Sequence, residues 1–321
     1  MNYAYRAPRW LRGGHAQTIY PALFLRGRLP RYRRERWDSP DGDFIDLDFL
    51  DGAAGAPRVV LFHGLEGSSS SHYAAAMMRA LVRARWNGVV VHFRGCSGEP
   101  NRLARAYHSG DSAEIEWLVQ RLALIGQPLY AVGVSLGGNA LLKWLGETGA
   151  AAGASVRVAA AVSAPVDLMA AGAALGRGFN LAYTRMFLST MRAKSLAKLE
   201  RFPGLFARER MLAARNLREF DDVVTAPLHG FRDTDDYWTR ASAKPMLRGI
   251  RVPTLVLNAR NDPFLPARDL PQPAEVSSTV LLEQPEQGGH VGFTGGAFPG
   301  HIDWLPQRLL AFFREQAPAS G

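Results

Sequence analysis

The chain has 321 residues, 47% hydrophobic and 21% charged, with a formal net charge of +9 and a pI near 10.0. That suits one large α/β domain, or such a domain with an insertion, with ample material for a core. The single cysteine, Cys96, excludes an intramolecular disulfide and fits a reducing compartment, so a cytoplasmic location is expected. The positive charge sits almost wholly on arginine, and in a chain also rich in Ala and Gly it reads as compositional bias. No zinc-finger, RRM-like or basic-zipper pattern argues for nucleic acid. No apolar run reaches membrane-spanning length, and Ala22-Leu23-Phe24-Leu25 is too short for a signal peptide.

In chain order, residues 1–33 read as an irregular basic arm in which Arg26, Arg28, Arg31, Arg33 and Arg34 cluster. Weak peripheral contact with anionic lipid would be sought there. Arg34 to Trp37 and Phe44 to Leu50 flank Ser39-Pro40-Asp41-Gly42 and predict an antiparallel hairpin at a sheet edge; the second run alternates apolar and acidic, as a half-exposed strand does. The pattern then changes to short continuous apolar runs: 58–62, 86–93, 128–134, 156–163, 253–258 and 278–282. Such runs predict strands buried on both faces of a parallel sheet. Helical spacing marks 73–85, 109–124 and 305–313 between and after them, so the fold class is α/β, doubly wound, with the site at the strand C-termini. Residues 167–245 hold no strong strand run and predict a mostly helical insertion, a cap over the site, between a first core part (1–166) and a second (246–321).

Gly133-Val134-Ser135-Leu136-Gly137 lies between an apolar strand and an apolar helix. The pentapeptide alone is weak; that placement makes it a nucleophile elbow, whose tight turn needs glycine on both sides of the serine. A serine hydroxyl needs a base, and the base needs a group that fixes its tautomer. In such folds the order is Ser, then Asp or Glu, then His. Asp262 follows the fifth apolar run, and His290 follows the sixth on a Gly-rich loop. Asp167 is the rival acid, and Asp221 and Asp222 lie in the insertion; His301 is the rival base, in a context that favours helix entry. Two backbone N–H groups are needed for an oxyanion: Leu136, after the nucleophile, and Leu65, in His63-Gly64-Leu65-Glu66-Gly67. His63 itself reads as structural, and Cys96 has no base placed for it. The histidines show no metal-ligand spacing, and no phosphate-binding glycine loop occurs, so neither metal nor cofactor is expected.

Longer motifs add to this. His63 to Ser68, Phe93-Arg94-Gly95-Cys96-Ser97-Gly98-Glu99, Tyr107 to Gly110, Gly133 to Asn139, Phe220-Asp221-Asp222, Ala226 to Phe231, Gly288 to Phe293 and Gly14-His15-Ala16-Gln17-Thr18 together resemble the YheT-type α/β-hydrolases, which are similar to plant Emb8-type proteins and animal α/β-hydrolase-domain lipases. The resemblance implies an α/β-hydrolase fold with a helical cap, a Ser135–Asp262–His290 triad and carboxylic-ester hydrolysis. In the animal relatives it implies lipid substrates. Those relatives carry an N-terminal membrane anchor without counterpart here, so membrane residence is not expected. The reading is a monomeric serine hydrolase of a small-molecule ester with an apolar acyl or alcohol part. Thioester or amide cleavage on the same residues, and ligand binding without catalysis, are its rivals.

Overall fold

The computed structural model describes residues 4–25 and 27–316. Its elements run α1 (Gly14–Phe24), β1 (Arg33–Asp38), β2 (Phe44–Leu50), β3 (Arg58–Phe62), α2 (His72–Ala84), β4 (Asn87–His92), α3 (Ser112–Ala123), β5 (Leu129–Val134), α4 (Leu136–Thr148) and β6 (Val158–Val162). Then come α5 (Leu168–Leu175), α6 (Asn180–Arg201), α7 (Arg208–Ala213), α8 (Leu217–Phe220), a π-helical turn (Asp221–Thr225), α9 (Ala226–Leu228) and α10 (Thr234–Ala241). The chain closes with β7 (Thr254–Leu257), β8 (Val280–Glu283) and α11 (Trp304–Gln316).

The strands form one sheet in the order β1-β2-β4-β3-β5-β6-β7-β8. The β1–β2 and β2–β4 pairs are antiparallel; every later pair is parallel. Helices cover both faces because the strands are apolar on both. In β3, Val60 and Phe62 pack with Ile115 of α3 and Leu141 of α4, while Val59 and Leu61 pack with Leu81 of α2 and Phe313 of α11. Parallel strands joined by crossover helices bring the C-termini of β3 to β8 to one edge.

Three expectations need correction. The N-terminal stretch is not irregular throughout: α1 forms within it, and Gln17 and Thr18 on that helix are buried. Arg26 of the predicted basic cluster lies outside the described residues. β2 is buried along its whole length rather than half-exposed. Its acidic residues are accommodated because Arg36 and Arg34 on β1 pair bidentately with Asp46 (2.8 and 2.9 Å) and Asp48 (2.7 and 2.9 Å), and because His92 and Ser69 also bond Asp48 (2.8 and 2.6 Å). β8, at the other edge, is only partly covered, unlike the inner strands.

Candidate active site

Ser135 occupies the turn between β5 and α4 with φ 53° and ψ −121°, a backbone conformation that a non-glycine residue adopts only under constraint. The constraint is visible. Its N–H donates to Val162 O at 2.9 Å, and the Gly137 N–H donates to His63 O at 3.2 Å. A Cβ at Gly133 would lie 2.5 Å from Gly137 O, and one at Gly137 would lie 2.5 Å from Phe62 O, so neither position admits a side chain. Asn139, fully buried on α4, donates to Ser109 O and Ala241 O and accepts from Ala243 N–H, tying the helix to its surroundings.

The three side chains singled out in the sequence converge. Ser135 Oγ lies 2.9 Å from His290 Nε2, and His290 Nδ1 lies 2.9 Å from Asp262 Oδ2. Asp262 is 4% exposed, and its other oxygen accepts the Phe264 N–H at 2.8 Å. Phe264 stacks on the His290 ring with centroids 4.1 Å apart. An Nδ1–H donating to Asp262 Oδ2 leaves Nε2 as the acceptor that faces the Ser135 hydroxyl.

The His63–Gly67 loop lies against the serine, for a Cβ at Gly64 would come within 3.0 Å of Ser135 Cβ. Tyr73 OH accepts the Gly64 N–H at 2.8 Å, and Tyr107 OH accepts the Glu66 N–H at 2.9 Å. Between these two engaged amides, the Leu65 N–H has no acceptor among the described residues, and neither does the Leu136 N–H. His63 is fully buried. Its Nδ1 donates to Gly64 O at 2.7 Å and its Nε2 accepts the Phe93 N–H at 3.1 Å, while burial pushes its pKa down to about 3. It serves as a neutral brace for the loop.

The rivals are engaged elsewhere. Asp167 caps α5, accepting the Ala170 N–H at 3.0 Å. Asp221 accepts from Thr225 Oγ1 (2.6 Å) and Trp238 Nε1 (2.8 Å), and burial raises its carboxyl to about 6. Asp222 reaches the Thr234 N–H on α10 at 3.4 Å. His301 is exposed and pairs with Asp303. Cys96 borders the cavity over Ser135, but burial pushes its thiol up to about 11. Among the described residues no cluster of potential metal ligands occurs, and no helix is long and apolar enough to cross a membrane.

Sequence reasoning missed the residues that hold the acid and base loops. Gln17 Oε1 accepts from Asn261 Nδ2 (3.0 Å) and from the Gly288 N–H (2.9 Å), while its Nε2 donates to Leu11 O and Gln287 Oε1. Thr18 Oγ1 accepts the His290 N–H at 2.9 Å and donates to Gly14 O at 2.7 Å. A Cβ at Gly14 would lie 1.9 Å from Asn261 O, and one at Gly292 would lie 1.9 Å from Gln17 O. The only signal was the Gly14–Thr18 motif, whose role cannot be read without its partners.

A cavity of about 1130 Å³ opens over Ser135 and His290. Leu168, Leu175, Tyr183, Phe187, Phe220 and Val224, all from the chain between β6 and β7, contribute to its walls.

A mostly parallel sheet with a serine at the β5–α4 turn is the architecture of the α/β hydrolases, and the comparisons agree. The alpha/beta hydrolase fold family matches residues 57–297. The chain is 41% identical over 302 residues to YheT of Escherichia coli (strain K12), covering 92% of this chain and 88% of that protein. It is 31% identical over 315 residues to the phospholipase ABHD3 of Mus musculus, covering 94% and 76%. Among solved structures, the esterase EaEST from Exiguobacterium antarcticum shares the fold at a TM-score of 0.55 and 17% identity, covering 88% of this chain and 100% of that one. The chain belongs to the α/β-hydrolase family, in its YheT-type branch.

Proposed function

We propose that this enzyme hydrolyses carboxylic esters with an apolar acyl or alcohol part, using Ser135 as nucleophile, His290 as general base and acid, and Asp262 as the group that orients His290. The observation that carries this reading is the pair of 2.9 Å contacts linking Ser135 Oγ to His290 Nε2 and His290 Nδ1 to Asp262. Ser135 Oγ attacks the ester carbonyl while Nε2 takes its proton. The oxyanion is received by the Leu65 and Leu136 N–H groups. His290 then protonates the leaving alcohol, and water, activated by the same imidazole, hydrolyses the acyl-enzyme. Asp262 stabilises the imidazolium in each half-reaction. The helices of 167–245 act as a cap whose apolar side chains select an apolar substrate part. The single cysteine supports a reducing, cytoplasmic setting.

The test is labelling with a fluorophosphonate probe, together with turnover of p-nitrophenyl esters from acetate to palmitate. Wild type is expected to label and turn over, and Ser135→Ala and His290→Ala to do neither. Absence of both in folded wild-type protein would overturn the mechanism; labelling of Ser135→Ala as strong as wild type would move the nucleophile elsewhere.

A further inference from the structure

α6 changes character along its length. Tyr183, Met186 and Phe187 from its first half line the cavity, as do Lys194, Lys198 and Arg201 from its second. The apolar half lies beside the reacting groups, for Tyr183 and Phe187 pack on Phe264 with centroids 4.9 and 6.1 Å apart, and Phe264 stacks on His290. The cationic half lies over the loops that follow β3 and β4.

There the three cations differ. Lys194 is paired with Glu66 at 2.8 Å. Lys198 Nζ donates only to backbone carbonyls, Leu103 O at 3.3 Å and Arg105 O at 3.1 Å. Arg201 likewise donates to Asn101 O and to Arg102 O. Among the described residues neither Lys198 nor Arg201 has a carboxylate within ion-pair distance, although Asp43 acts on Lys198 at longer range, and each cation retains N–H donors beyond those bonds. The other charges of the cavity wall are spent. Glu99 pairs with Arg36, and Arg94 is ion-paired with Asp41, Asp43 and Glu114. Asp221 is bonded to Thr225 and Trp238. Burial pushes the Lys198 ammonium down to about 8, so its charge is held there at a cost that an anion would relieve.

We propose that this end of the cavity is an anion subsite, and that the preferred substrate is an ester bearing a second, anionic group, a carboxylate or a phosphate, received by Lys198 and Arg201. This rests on the ester-hydrolase reading. Lys198 lies about 16 Å further along α6 than Phe187 at helical rise, and its side chain leans back toward the helix start. The anion therefore sits about 10–15 Å further along α6 than Phe187. Lys198 is half-buried, so its charge contact retains force, whereas Arg201 is exposed and more screened.

The test has two arms and two readouts. The first arm compares p-nitrophenyl half-esters of dicarboxylic acids of increasing length with simple alkanoates of matched length. The second compares 1-acylglycerol 3-phosphate with monoacylglycerol. Wild type is expected to prefer the anionic member at one optimal length, and Lys198→Gln/Arg201→Gln to raise KM for it about tenfold, several-fold more than for the neutral member, with kcat little changed. Lys198→Arg should preserve the preference, and rising salt should erode it. Preference in the first arm alone identifies a carboxylate, and in the second a phosphate. Equal losses on neutral and anionic esters would overturn the proposal and make these cations a latch between α6 and the 101–105 loop. So would a wild type indifferent to charge. The second readout needs no turnover: dodecyl phosphate should raise the melting temperature of wild type saturably and of the double variant far less. That result would stand even if no ester were cleaved, and its absence would count against the subsite alone.

Discussion

Ser135 is held by its immediate neighbours and the strands flanking it, whereas Asp262 and His290 are held by a helix near the other end of the chain. The elbow is set by sterics: β5 and β6 hydrogen-bond around it, and at Gly133 and Gly137 the backbone leaves no room for a Cβ. The acid and base loops have no such local cause. Both are irregular, the His290 loop is also glycine-rich, and much of their placement comes from Gln17 and Thr18 on α1, which bond Asn261, Gly288 and His290 across 244 to 272 residues of sequence. One half of the site is therefore as rigid as the sheet. The other leans on a docked helix, with Ser163 Oγ beyond β6 accepting the Val291 N–H as a further tie.

Substitutions can separate the two. Ser135→Ala should lower kcat by about 10⁴-fold or more while leaving thermal stability near wild type, since it removes chemistry and no packing; steady-state kinetics and calorimetry on the same sample would check both. Gly137→Ala should damage fold and activity together, by about 3 kcal/mol or more, because the clash is with backbone that cannot move aside; a soluble variant with wild-type melting would contradict the steric account. Gln17→Ala should act on the other half. We expect kcat to fall about 10- to 100-fold with KM little changed, as the His290 loop drifts from the serine. Stability should drop by about 1–3 kcal/mol because the Gly288 N–H loses its acceptor.

Smaller effects should appear in the pH dependence of stability. His63 is buried with its pKa lowered to about 3, so the fold favours the neutral ring. Its contribution is complete above 6.5 and is lost as pH falls toward 3; His63→Asn should flatten that acid limb in denaturant titrations. Asp221 is the converse, with its carboxyl raised to about 6, so the fold favours the protonated form. Its contribution is complete below 3.8 and is lost as pH rises through 6. Asp221→Asn should accordingly gain stability relative to wild type between pH 5 and 8.

The sequence by itself determined the sheet's parallel portion, because an apolar run without alternation has few other homes than a strand covered on both faces. It also made the elbow legible, from the glycines flanking Ser135 together with the apolar strand before them and the apolar helix after them. The edge hairpin was legible, but the burial of β2 was not, since Asp46 and Asp48 are buried against partners from other segments, Arg36 and Arg34 across the strand pair and, for Asp48, His92 and Ser69. Asp262 and His290 could be picked out by order and by position after strands, yet their distance from the serine depends on contacts no local pattern records. Gln17 and Thr18 show why: a buried glutamine is costly unless every polar atom finds a partner, and those partners come from three separated segments. Lys198 and Arg201 likewise read as ordinary helical cations until α6 is laid over the cavity. Periodicity and turn chemistry act over a few residues and are written in the chain. The satisfaction of buried polar groups acts between distant segments, and only the tertiary structure decided it.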